Sequence, residues 1–217
     1  YELNRLRGCR LDGRALGWQR VRLTMMATLT SAAMLAGAAA CTSPSPPSRL
    51  IASGPAGYQL DSSASQQQLA SSAVAQATPA DPDLTKQALK RDGFTGASSR
   101  VWHASTGDFL LDLAVRFKTP SGAEEFRDFE LAQIAERVKS SAPTASAQQA
   151  GIYPDSQLAG AKLFLLGGPN RHTAAPLFIE GIAFTSGETA YLVETGGPMP
   201  SGADLVERFA HDQASIA

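Results

Sequence analysis

The chain has 217 residues, 43% apolar and 18% charged, with a formal net charge of −1. Residues 1–40 carry six Arg and two acids, so +4, and residues 41–217 carry 13 Lys and Arg against 18 acids, so −5. A mildly acidic main part argues against nucleic acid as a partner and against a polybasic membrane patch.

Residues 1–19 begin at Tyr1 rather than Met and show no periodicity. We read them as an extension ahead of a start at Val21 or Met25, or else as a long basic leader, and exclude them from the fold. From Leu23 to Ala40 the chain is apolar but rich in Ala, Thr, Ser and Gly. Arg14, Arg20 and Arg22 precede this run, and Ala38, Ala39, Ala40 and Cys41 end it. A positive region, an apolar core and a small-residue end are the layout of an export signal over residues 20–40. The run has about the length of a membrane span, but its small residues make it weakly apolar for one.

The placement of Cys41 directly after three alanines resembles a bacterial lipoprotein signal. That resemblance implies cleavage before Cys41, acylation of its sulfur and a lipid anchor in the cell membrane, with the protein on the extracytoplasmic face. The pattern usually has Leu three residues before the cysteine; here Ala38 stands there and Leu35 lies further back. The other cysteine is Cys9, so the main part has no disulfide and must be held by its core alone.

Residues 41–80 read as a disordered linker, because Pro, Ser, Gln and Ala dominate and charges are nearly absent. A short helix between Leu60 and Gln76 is the alternative there. The folded domain is expected over 81–217. Asp81 and Pro82 form a helix start, Leu84, Ala88 and Leu89 its apolar stripe, and Gly93 its stop. Ser98 to Ala104 reads as a strand, and Ser105 to Asp108 as a turn. Phe109 to Lys118 alternates strictly. Phe109, Leu111, Leu113, Val115 and Phe117 share one face, while Asp112, Arg116 and Lys118 share the other, which predicts a half-buried strand paired with its predecessor.

Ser121 and Glu124 form a capping box for a helix from Gly122 to Lys139, with Phe126, Leu131, Ile134 and Val138 inward. Ser140 to Ser156 is a polar loop with room for a short strand near Gln148. Ala161 to Leu166 reads as a central strand. Leu177 to Phe184 and Thr189 to Glu194 form a hairpin turning at Ser186 and Gly187. A final helix starts near Ser201 and Asp204, buries Leu205, Val206 and Phe209, and ends near Gln213. Strands in hairpins with interspersed helices predict an α+β fold, an antiparallel sheet of about five strands flanked by helices.

The run from Gly93 and Phe94 to Arg100, Val101 and Trp102, the strand Leu111 to Phe117, and Ser121, Gly122 and Ala123 together resemble uncharacterised lipoproteins of actinobacteria. Several of those are similar to the PsbP type, an antiparallel sheet between helices. The resemblance implies that fold over 81–217 and brings no catalytic residues with it.

The chemistry-bearing residues are few. His103, Ser105 and Asp108 lie close in sequence, but at a turn that wants such residues anyway. His103, His172 and His211 are too scattered to read as a metal site. No phosphate loop, dinucleotide fingerprint or nucleophile elbow is present, so no catalytic residue, metal or cofactor is assigned. Arg100 and Trp102 either line a ligand groove or, as is commoner for a strand Trp, belong to the core. The reading is a membrane-anchored cell-envelope lipoprotein whose non-catalytic domain binds a ligand, such as an apolar molecule, or an envelope protein. Its rivals are an envelope hydrolase using His103 or His172, and a structural spacer.

Overall fold

The computed structural model describes residues 49–141, 151–169, 176–197 and 203–217. Cys41, His172 and Ser201 lie outside them, as do the side chain of Val138 and the backbone at Gln148. Seven strands and four helices occur among the described residues, and the fold is α+β. They are β1 (Tyr58–Leu60), α1 (Ser71–Ala77), α2 (Pro82–Arg91), β2 (Phe94–Ala104), β3 (Phe109–Phe117) and α3 (Pro120–Ser141). After these come β4 (Gly151–Pro154), β5 (Lys162–Pro169), β6 (Pro176–Ser186), β7 (Thr189–Gly197) and α4 (Ala203–Ile216). All strands join one antiparallel sheet in the order β1-β2-β3-β7-β6-β5-β4.

Seven strands replace the expected five because two short edge strands were hidden. The three residues of β1 and four of β4 are too brief to show a period. Each pairs with a longer neighbour, β1 with the end of β2 and β4 with β5. Consequently β5 is the next-to-last strand, and the sheet is centred on β3 and β7.

The expected disordered linker over 41–80 is corrected from Arg49 onward. What holds this segment is backbone pairing and a few small side chains, which composition does not register. The amides of Asp61 and Leu69 donate to the carbonyls of Val101 and Ala97 at 2.8 Å, and Gln66 bridges to Ser99. Leu69, Val74, Ala75 and Ala80 are buried. Residues 49–80 are thus an integral layer of the fold.

Several local signals act as expected. The Asp81 carboxylate accepts the amides of Asp83 and Leu84 at 3.0 and 3.2 Å, with Pro82 opening α2. Gly93 stops that helix at a φ of 80°. β2 then starts at Phe94, with an irregularity between Phe94 and Gly96. The β6–β7 hairpin turns through Gly187 at a φ of 53°, with Ser186 opposite Thr189. The start of α3 differs. Thr119 Oγ1 accepts the Gly122 amide at 3.1 Å with Pro120 as the first helical residue, and Ser121 instead donates to Glu125 at 3.2 Å. The cap sits two residues earlier than the capping box implied.

The sheet is covered on both sides. Leu113, Val115 and Phe117 face α3, where Phe117 and Phe126 have ring centroids 5.2 Å apart. On the opposite face Trp102, Leu110, Ala114, Ile182, Tyr191 and Val193 pack against Val206, Phe209 and Ala210 of α4. The half-buried expectation for β3 is therefore corrected: Leu110, Asp112 and Ala114 are as buried as their neighbours. A fully buried side chain such as Phe117 or Ile182 contributes roughly 1.5–3 kcal/mol each, so two covered faces supply the core that the missing disulfide does not.

Two predictions follow from this packing. A chain beginning at Asp81 should lose cooperative thermal unfolding that a chain beginning at Arg49 keeps; equal transitions would show the 49–80 layer to be dispensable. Gly122→Ala should destabilise by about 1–3 kcal/mol, although alanine normally favours a helix. A Cβ there would collide with the Asp92 carbonyl oxygen and press on Phe117. A lowered urea midpoint at unchanged slope is the expected reading, and a raised midpoint would refute the contact.

Candidate functional site

The segment that precedes β1 positions the polar groups on the α4 face. Gln213, fully buried on α4, holds it with both ends of its amide. Its Oε1 accepts the Ile51 amide at 3.0 Å, and its Nε2 donates to the Arg49 carbonyl at 2.7 Å. The Arg100 guanidinium donates to the Ile51 carbonyl. Gly54 lies flat on the Trp102 indole, so close that a Cβ would overlap the ring. Residues 49–54 thus form a strap across the sheet.

That strap decides the fate of the proposed Arg100–Trp102 groove. Trp102 is 1% exposed, and its ring meets Phe209 edge-on at 5.3 Å. Its side chain is core, enclosed among the described residues. Arg100 is half-buried and serves as a clamp on the strap.

Beneath the strap lies a residue the alternation pattern placed on the polar face. Asp112 stands opposite Arg100 on β2 and Val193 on β7. It is completely buried, and neither carboxyl oxygen has a hydrogen-bond partner among the described residues. Burial pushes its pKa up to about 7, only partly offset by the nearby Ile51 amide, whose hydrogen bond goes to Gln213, and by the Arg100 charge. Glu180 on β6 is also buried and likewise raised by burial. Tyr191, stacked on Phe184 at 4.9 Å, is raised first by burial and then by Asp112. Sequence offered one signal for Asp112, an acid inside a strongly apolar strand. It was outweighed by the neighbouring Arg116 and Lys118 in the same alternating set. A carboxyl that stays protonated to neutral pH can exchange a proton, but no nucleophile or substrate cavity accompanies Asp112 in the described structure.

The histidines divide. His103 Nε2 lies 3.3 Å from Asp61 Oδ2, and Asp108 accepts instead from the Thr106 hydroxyl at 2.6 Å. The His103–Ser105–Asp108 set is thus not a triad: the acid that orients His103 comes from the turn after β1. Asp61 is held below the usual carboxylate range, chiefly by the Ser63 hydroxyl at 2.6 Å, with the Ser63 and Ala64 amides and His103 adding to it. His211 on α4 lies 3.4 Å from both oxygens of Asp155. Burial alone would raise Asp155, but the Leu158 and Gln157 amides and His211 more than offset it. Among the described residues, no group of three or more His, Cys, Asp or Glu is arranged to hold a metal, and no helix is long and apolar enough to cross a membrane.

Cavities among the described residues include the following two. One, between α3 and the central strands, is apolar and holds about 20 Å³. This is room for a single water. It cannot take an acyl chain. The other is a polar cleft of about 220 Å³ between α1, α2 and the start of β2, lined by Ser71, Lys86, Leu89, Lys90, Gly93, Phe94 and Lys118.

Asp112 gives the fold a pH signature. Its unfolded carboxyl ionises near 3.9, while the folded one holds its proton to about 7. The folded state therefore binds more protons between these values. Stability from this group is fully present below the lower value, falls as pH rises, and is lost above the upper one, by roughly 4 kcal/mol at most. Asp112→Asn should flatten the fall in stability between pH 4 and 7 and be more stable than wild type at pH 8. Parallel pH curves for the two proteins would overturn the assignment.

No family model matches the chain, and no curated protein matches it. Among solved structures it is similar to the extracellular domain of PknH from Mycobacterium tuberculosis, at 10% identity and a TM-score of 0.43, covering 76% of this chain and 81% of that one.

Proposed function

We propose that the chain is a cell-envelope lipoprotein, anchored through a lipid on Cys41 and carrying a non-catalytic binding domain on the extracytoplasmic face. The observation that carries this reading is the run from Arg20 to Cys41: basic residues, a weakly apolar core and three alanines ending at a cysteine. The domain fits the role because its core closes without a disulfide. Its resemblance to actinobacterial lipoproteins of the PsbP type belongs to the same proposal.

The strap modifies the picture of a long tether. The first described residue, Arg49, is held to the domain through Gln213. Seven residues lie between positions 41 and 49, and the eight Cα-to-Cα steps reach at most about 28 Å even when fully extended. An anchored domain would stay within that distance of its lipid. It would work at the membrane surface, where a partner must be a membrane component or a neighbouring envelope protein.

Binding is favoured over hydrolysis. His103 is oriented by Asp61 but faces no nucleophile in the described structure, and the Asp61 oxygen not facing it is occupied by Ser63. Apolar cargo is disfavoured by the 20 Å³ cavity. An envelope partner recognised on the surface is what is left.

Expression of the full chain in an actinobacterial host with a labelled fatty acid tests the anchor. Wild type should take up the label and fractionate with membranes, and Cys41→Ala should lose both. Label persisting in the variant would sink the lipoprotein reading.

A further inference from the structure

The cleft between α1, α2 and the start of β2 has a chemistry at odds with the rest of the domain. Three of its seven lining residues are lysines, and none is an acid. Residues 41–217 contain only five lysines and carry a net charge of −5. More than half of the lysines therefore converge on one depression of an acidic molecule.

Their placement follows from local structure. Lys86 and Lys90 are four apart on α2 and so share one side of the helix. Lys118 follows β3, and its backbone amide donates to the Gly93 carbonyl at 3.0 Å. The Lys118 stem lies over Gly93, near enough that a Cβ built there would stand in ordinary van der Waals contact with it. The floor is apolar, made by buried Leu89 and half-buried Phe94. Lys86 is engaged by Asp83 at 3.1 Å on the open rim, whereas among the described residues no ion pair involves Lys90 or Lys118. The nearby acid Asp92 is taken up by Arg91, with Nη2 to Oδ2 at 2.7 Å. Like charges gathered without counter-charges cost free energy unless an anion joins them. A concave wall of low dielectric also concentrates their field on a small volume.

We propose that this cleft binds a phosphate-type oxyanion, with Lys90 and Lys118 as its principal charges and Lys86 recruited from Asp83. Lysine serves such anions as a mobile point charge. The cleft's 220 Å³ accommodates a phosphate or diphosphate group but not a folded peptide. The group could be free in solution or carried on a lipid headgroup; both present the same oxygens. The proposal does not depend on the lipid anchor.

The test uses the full chain in detergent. Sodium pyrophosphate is titrated against a chloride control of equal ionic strength, with the Gly93, Phe94 and Lys118 amides followed by NMR. We expect saturable shifts at these amides, at least a tenfold weaker affinity in the double variant Lys90→Gln, Lys118→Gln with unchanged melting, and weakening by added salt. Co-sedimentation with phosphatidylglycerol vesicles then separates the two sources. Vesicle binding lost in the same variant and competed by pyrophosphate supports a headgroup, and pyrophosphate binding without vesicle binding supports a free oxyanion. Absence of saturable shifts, or equal affinity in wild type and variant, overturns the site. If the double variant unfolds, charge reversal at Lys118→Glu alone supplies the same comparison.

Discussion

The pairing of β3 with β7 is the constraint on which the rest of the structure depends. Eight residue pairs, from Phe109 opposite Gly196 to Arg116 opposite Thr189, join two halves of the chain far apart in sequence. Every residue of β7 is buried, as are seven of the nine in β3. Strands this apolar on both sides are soluble only if both faces are covered. One face takes α3, directly after β3. The other takes α4, directly after β7, and the gap that α4 leaves is closed by the strap before β1. The three-layer arrangement is thus a consequence of the central pair rather than an addition to it.

The strap shows how such a cover is fastened. A side-chain amide that accepts from one backbone group and donates to another fixes both direction and register, because its two ends are not interchangeable. Gln213 does this for Ile51 and Arg49. Arg100 adds a charged donor to the Ile51 carbonyl. Asp112 below has no comparable partner, and the cost of keeping it charged there moves its titration toward neutrality. The same burial that completes the core therefore lifts the Asp112 carboxyl above the usual carboxylate range.

Much of the fold was legible where the signal is local. Asp81 with Pro82, Gly93, the alternation of Phe109 to Phe117 and the turn at Gly187 each act through neighbours a few residues away, and each element formed close to its expected bounds. What was not legible depends on distant partners. β1 exists only because β2 offers it an edge at Trp102 to Ala104. Gln66 and Leu69 are fixed by carbonyls of β2, so a Ser- and Gln-rich stretch that looks like a linker is structural. Trp102 is closed off by Gly54 and Phe209, from opposite ends of the chain. Asp112 was assigned to solvent because strand period tells which residues share a face, not whether that face is later covered. The lysine cleft escaped for a related reason: Lys86 and Lys90 are linked by helical spacing, but Lys118 joins them only through the contact with Gly93.

The described interior is closely packed rather than hollow. Carriers of apolar molecules keep a chamber of several hundred Å³ lined by apolar groups. Here Phe117 meets Phe126, Trp102 meets Phe209 and Phe184 stacks on Tyr191, so the aromatic side chains that could line such a chamber fill it. Opening one would require moving α3 or α4 off the strands that depend on them for cover. The polar cleft is different, since it is open to solvent and its three lysines are exposed. Close packing on both faces of β3 and β7 therefore fills the described interior, and the lysine cleft lies outside it.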